Sequence, residues 1–144
     1  MIITFSANNR QEIRVMPLCP VDLPIEYIQD NTIYDGLSFP LAMVGNVNLR
    51  ELTIDTILPC RRQSWQAPGS TAKPKDYVEF FKRWQSKKVP IRIVISDDDG
   101  SQYLNMACLV NSCKYYKEKC GDYKISIELL EYPFVTVKRT GVKK

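Results

Sequence analysis

Alternating apolar and polar residues recur along the chain and predict a mainly β protein. Such alternation over four or more residues is what a half-buried strand requires. The apolar residues of the 47–58 stretch change face near Arg50, which predicts a bulge or bend there. Weaker strand candidates lie at 25–28 and at 41–44, the latter before a turn-like Gly-Asn pair. The clear strand patterns cover residues 12–16, 47–58, 91–95, 103–116 and 123–132.

A single amphipathic helix is predicted over about residues 75–87. Its apolar side chains recur at helical spacing and form one broad face, which we expect to pack against the sheet. Pro74 suits the first turn of this helix. The apolar face consists of Tyr77, Val78, Phe80, Phe81 and Trp84.

A proline-rich loop is predicted between the strand that ends at residue 58 and the helix. Loops of this length, here 59–74, are usually functional or flexible. Trp65 lies near Arg61 and Arg62, and this combination of side chains is typical of protein interfaces. The alternative is that Trp65 folds back over the edge of the core.

The composition bounds the fold and the chemistry. With 144 residues, 44% of them hydrophobic, we expect one α+β domain over 1–137, mainly β, followed by a basic tail at 138–144. The chain has no histidine, which excludes Ser-His-Asp triads, Cys-His dyads and histidine-ligated metals. Phosphate-binding, dinucleotide-binding and zinc-protease motifs are missing too. We therefore expect no enzyme activity, no cofactor and no metal.

The cysteine pattern and the lack of targeting segments narrow the possible kinds of site further. The five cysteines are odd in number and include no CxxC pair, so we expect free thiols used as small apolar residues. No apolar run reaches the length of a membrane span, and the start of the chain lacks the pattern of a signal peptide. We expect no contact with a membrane.

The net charge of +4 conceals an asymmetry. Residues 1–58 carry three basic and seven acidic side chains, a net charge of −4, whereas 59–144 carry 17 and nine, a net charge of +8. This unequal distribution of charge has three interpretations: charges that fall unevenly on a solvated surface, a patch that binds nucleic acid, or a subunit whose opposite flanks attract neighbouring subunits. The basic residues that a nucleic acid would use are Lys73, Lys75, Lys82, Arg83, Lys87, Lys88 and the tail lysines.

Several segments resemble one family, the LysM-type tail or baseplate proteins of contractile phages and phage-tail-like particles. The strongest similarity lies in 76–96, with Tyr77, Trp84 and the Pro-Ile-Arg run at 90–92. The strand at 125–132, with its Glu-Tyr end, is similar as well, and 19–27 and 45–59 match the family pattern more loosely. Members of this family usually continue into a LysM module. The sequence ends at Lys144, so we expect no cell-wall binding from this chain.

The resemblance implies a tail-tube-like β-barrel or sandwich flanked by one helix. It also implies a structural role in a virion tail or baseplate, joining the tube or hub to surrounding proteins, after assembly in the bacterial cytoplasm. The implied partners are tube, hub, wedge or sheath-initiating proteins and copies of the chain in a symmetric ring, in which an acidic flank meets a basic one. A nucleic-acid-binding module is the alternative. The predicted interface residues are Arg61, Arg62, Trp65, Lys82, Arg83, Lys87, Lys88, Lys138 and Arg139.

Overall fold

Six strands pair in one antiparallel sheet in a computed structural model that describes residues 1–134. The sheet order is β2-β1-β6-β7-β8-β5, and β3 and β4 form a separate hairpin. Every neighbouring pair of strands is antiparallel. The elements are β1 (Ile2–Ala7), β2 (Glu12–Val15), β3 (Thr32–Asp35), β4 (Pro40–Met43), β5 (Glu51–Leu58), α1 (Pro74–Lys87), β6 (Ile91–Ser96), β7 (Gln102–Lys117) and β8 (Tyr123–Glu131).

Alternate residues of the sheet build the core. On β1 the buried residues are Ile3, Phe5 and Ala7, and the residues between them are half-buried. The same period of two governs β5, β6 and β8, because successive side chains of a strand point to opposite faces. Burying one face of each strand against the helix therefore fixes the register of the whole sheet.

Strand β7 is shared between two halves of the sheet. Its first half pairs with β6 as far as Cys108, and its second half pairs with β8 from Cys108 to Lys117. The register with β8 shifts between Val110 and Ser112. Such an irregularity bends a strand and increases its twist, so the sheet curls around the helix.

Helix α1 lies along the part of β7 that β6 leaves unpaired. Lys82 Nζ donates to Tyr115 Oη at 3.0 Å, and Gln85 Nε2 donates to the carbonyl of Asn111 at 3.3 Å. The apolar face of the helix is buried in the core, where the rings of Phe81 and Phe5 meet edge to face at 5.0 Å. The helix predicted over 75–87 is confirmed, and it begins one residue earlier.

The loop at 59–74 is held against the body of the protein. The amide of Ala67 donates to the carbonyl of Pro17 at 3.0 Å. Gln66 and Ser70 are buried, and their side chains bond to each other and to the backbone of the loop. The buried Tyr77 hydroxyl accepts from the Thr71 amide and donates to the Val15 carbonyl. These contacts bring the loop to the edge of the core.

The two outer strands of the sheet, β2 and β5, approach each other without pairing. Thr56 of β5 donates through its hydroxyl to the Leu18 carbonyl at 2.7 Å, just after β2 ends. No ladder joins the two strands in the described part of the chain, so the sheet is open rather than a closed barrel. The predicted mainly β, α+β class is confirmed.

Four local predictions differ from the structure. Strand β1 was missing from the prediction although it lies inside the sheet, and the hairpin strand β3 was missing as well. Residues 25–28 form no strand, and 47–50 precede β5 rather than belonging to it. The face change near Arg50 therefore marks the start of β5 and not a bend within it. The predicted tail, 138–144, lies outside the described residues.

Candidate interaction surface

Residues 26–49 form an extended hairpin that we call the arm. Its inner part is joined by a bridge between Gln29 and Val47, and the amide of Asn48 donates to the Ile28 carbonyl at 2.7 Å. Its outer part is the ladder between β3 and β4. Each limb is about eight residues long, so the arm extends on the order of 25 Å.

The arm exposes large apolar side chains on both faces. None of its residues is buried, and Leu37 at its tip is fully exposed. The exposed fractions of Ile33 and Val44 are 77% and 79%. Soluble monomers rarely leave apolar side chains clustered in this way, so such a surface marks a binding site. The exposed apolar residues are Tyr27, Ile28, Ile33, Tyr34, Leu37, Phe39, Leu41, Met43, Val44, Val47 and Leu49.

The arm is also acidic. It carries Glu26, Asp30 and Asp35 and contains no lysine or arginine, which gives it a net charge of −3. Because the arm combines apolar side chains with negative charge, it favours a partner whose surface combines apolar and basic groups.

A bulge in the arm requires glycine. Two residues separate Gln29 from Thr32, but three separate Met43 from Val47, so one limb carries an extra residue. A Cβ atom on Gly45 would lie 1.5 Å from the Asp30 carbonyl oxygen. No other residue type fits this close approach of the two limbs.

The base of the arm is bound to the sheet by Arg50. Its guanidinium lies 2.6 Å from the Glu131 carboxylate at the end of β8, and it donates to the Tyr27 hydroxyl at 3.1 Å. Hydrogen bonds from Arg50 hold the pKa of Glu131 below its ordinary value. The limbs therefore leave the sheet from a fixed anchor.

Basic residues gather at the end of β5 that is opposite the arm, and we call this region the basic end. It consists of residues 59–76, the loop and the start of the helix, and of residues 114–124, the last part of β7 and the turn that follows. These segments carry eight basic and three acidic residues, a net charge of +5. A groove runs between them, lined by Lys73, Pro74, Lys75, Lys117 and Tyr123 among others.

The predicted basic residues of the helix face contact the protein itself. Lys82 bonds to Tyr115, and Arg83 lies 2.6 Å from the Glu12 carboxylate. Burial opposes ionisation of Glu12, but hydrogen bonds from Arg83 and Trp84 outweigh it and lower its pKa.

The other two basic residues of the helix lie at its end. The Lys87 ammonium sits 4.6 Å from the centre of the Trp84 ring. Lys88 caps the helix in the left-handed conformation. Lys82, Arg83 and Lys87 thus each contact another side chain of the same chain, whereas Lys88 acts through its backbone.

The predicted loop residues stay exposed. Arg62 donates to the Ser70 carbonyl at 3.2 Å, and Trp65 is 47% exposed. Arg61 belongs to the basic end defined above. Lys138 and Arg139 lie outside the described residues. Arg61 follows Cys60, which lines the groove, and Lys82 of the helix contacts Tyr115 of the basic end.

Sequence reasoning missed the arm as a surface. Two signals were present: 19–49 contain no basic residue, and the apolar residues there do not alternate with polar ones as a half-buried strand requires. Lys73 and Lys75, which line the groove, were predicted as nucleic-acid-binding residues and not as part of a protein interface.

The five cysteines are unpaired. Cys108 is buried in the core, as predicted for a small apolar residue, whereas Cys120 is exposed. Among the described residues, no helix has the length and apolar character needed to cross a membrane.

Comparison with solved structures identifies a similar fold. A protein chain from the virion of a native gene transfer agent particle superposes with a TM-score of 0.54 and 8% sequence identity, over 92% of each chain. No protein-family model matches the sequence, and no curated protein matches it. At this identity the similarity concerns the fold.

Proposed function

We propose that this chain is a structural subunit of a phage-like particle and assembles through the arm. The observation that carries the proposal is the row of exposed apolar side chains on the arm, which in a free monomer would remain in water. Contact with another subunit would remove this surface from solvent.

The shared fold supports the proposal. The similar chain belongs to a virion, and the similarity extends over nearly all of both chains. A particle subunit acts through complementary surfaces, so the proposed role requires no catalytic step, cofactor or metal.

The finer position we propose is the baseplate, between the tail tube or hub and the surrounding proteins. This rests on the resemblance of 76–96 and 125–132 to the tail and baseplate family. An open curled sheet with a helix along it is compatible with a tube-like subunit in a ring.

The test is whether the chain belongs to purified particles. Particles from producing cells are separated on a density gradient and their proteins are quantified by mass spectrometry. We expect the chain in the particle fraction in constant ratio to tail proteins. Its absence from intact particles, with the free protein present in the lysate, would overturn the proposal.

A matched variant tests the arm. Residues 32–43 are replaced by an Asn-Gly turn, which suits a two-residue hairpin. This variant should keep the thermal transition of the parent, because the replaced residues are exposed. It should be lost from particles. Incorporation at the parental level would contradict assembly through the arm.

Nucleic-acid binding is the competing function. It would use the exposed lysines of the basic end, and its affinity would fall steeply with salt. Tight, salt-dependent binding of an oligonucleotide by the parent and the arm-shortened variant alike, together with absence of the parent from particles, would favour it.

A further inference from the structure

We propose that the arm of one copy docks into the basic groove of a second copy, so that copies associate head to tail. This inference rests on the proposed function and names the partner of the arm. The two surfaces are opposite in charge, −3 on the arm and +5 around the groove. Each also presents apolar or aromatic groups.

The placement of the two surfaces favours association between copies over contact within one chain. The arm leaves the sheet at Arg50, before the first residue of β5, while the basic end begins after Leu58, its last residue. The eight residues of β5 separate these points by about 25 Å. No residue of the arm lines the groove and none is buried, so the arm does not cover the groove of its own chain.

The groove offers partners to both kinds of arm side chain. Lys73, Lys75 and Lys117 supply positive charge against the single carboxylate of Asp76, and Pro74 and Tyr123 supply apolar and aromatic surface. Within the described residues, these three lysines make no ion pair. Asp30 and Asp35 of the arm likewise make none there, so charges of both signs remain available.

The contact joins different surfaces of the two copies. Such a heterologous contact repeats from copy to copy, giving a ring if the rotation closes and a stack or filament if it does not. Since the two surfaces lie at opposite ends of β5, the repeat runs along the direction of that strand.

Charge reversal tests the contact on the full chain. Lys73→Glu with Lys117→Glu changes the net charge of the residues that line the groove, three lysines and Asp76, from +2 to −2. Lys87→Glu with Lys88→Glu is the control, with the same change in net charge at the other end of the helix. Self-association is measured by sedimentation velocity at several salt concentrations. The groove variant should associate at least about tenfold more weakly than the parent, because like charges then face each other. The control should associate like the parent.

Rescue makes the test specific. Glu26→Lys with Asp35→Lys reverses the arm and should also weaken association. Combining the arm and groove reversals in one chain should restore it, since the opposite charges then face each other again. Circular dichroism confirms that every variant is folded.

Three outcomes would overturn the inference. The groove variant associates as tightly as the parent; the combined variant fails to regain association while each variant stays folded; or the parent remains monomeric at every concentration. If the monomeric chain is nevertheless incorporated into particles through its arm, another virion protein occupies the arm, and the proposed function stands without this contact.

Discussion

Arg50 and Glu131 connect the arm to the sheet through a guanidinium–carboxylate contact of 2.6 Å. Both side chains are largely shielded, with 17% and 24% of their surface exposed. The backbone reinforces the contact, because the Glu131 amide donates to the Arg50 carbonyl at 2.9 Å. The pair therefore determines where the limbs of the arm leave the sheet.

Replacing Glu131 by Gln should lower the free energy of unfolding at neutral pH by about 1–2 kcal/mol, since Arg50 loses its charged partner. The lowered pKa of Glu131 stabilises the folded protein at pH values above the ordinary pKa of a glutamate. This stabilisation is lost as the pH falls through the lowered value. Urea titrations should thus show parent and variant converging in acid; a constant difference would contradict the role of the carboxylate.

Tyr77→Phe should destabilise the protein and loosen the loop at 59–74. The Tyr77 ring is buried, and its hydroxyl bonds to the Val15 carbonyl at 2.6 Å and to the Thr71 amide at 3.0 Å. Removing the hydroxyl leaves both groups without this partner, at a cost of about 1–3 kcal/mol. Urea denaturation measures the loss. Limited proteolysis should cut the loop faster in the variant, and equal cleavage rates would contradict the anchoring role.

Polar substitutions on the arm should leave the fold intact. Leu37→Ser and Phe39→Ser remove side chains that are exposed and not part of the core, so the free energy of unfolding should change by less than about 0.5 kcal/mol. Self-association should fall. A matched core variant, Leu129→Ala, should lose about 2–5 kcal/mol instead. A large loss of stability on the arm would show that these side chains are packed in the free chain.

Gly45→Ala should disrupt the inner part of the arm without unfolding the core. The added methyl would collide with the Asp30 carbonyl, so the limbs must separate there. Amide hydrogen exchange should accelerate at Asp30 and Asn48, whose amides bond across the limbs. Gly100→Ala is the control, because nothing lies within 4 Å of the added atom and its strain stays in the β6–β7 turn.

Thiol labelling should separate the cysteines by exposure. Cys120 is exposed and should react with an aromatic disulfide reagent in the native state. Burial raises the pKa of Cys108 to about 12, so this thiol stays protonated as well as inaccessible. It should react only at the rate of unfolding. Fast native labelling of Cys108, located by peptide mass spectrometry, would contradict its place in the core.

The sequence predicted best the elements whose pattern reflects burial inside the same chain. Helix α1 and strands β6, β7 and β8 present one apolar face to one core, so periodicity alone located them. Strand β1 has the same pattern, with Ile3, Phe5 and Ala7 buried, but it was overlooked. Its pairing with β6 joins residues about 90 positions apart, and no local pattern specifies such a pairing.

The arm could not be located in this way, for a physical reason. Its apolar side chains are exposed on both faces, so they follow no periodicity of a core within this chain. The basic residues of the helix show a second limit of sequence analysis. The sequence predicts a basic helix face, but it does not show that Lys82 contacts Tyr115 or that Arg83 contacts Glu12. Which charges remain available for a partner depends on contacts between distant residues.

The continuity of β7 has a mechanical consequence. β7 pairs with β6 over its first half and with β8 over its second, so any load on one half of the sheet passes to the other through one unbroken backbone. Its sixteen residues span about 53 Å. Tension along this strand acts on both ladders in shear, loading many hydrogen bonds together instead of one after another. Strand β7 therefore bears the tension between the two halves of the sheet.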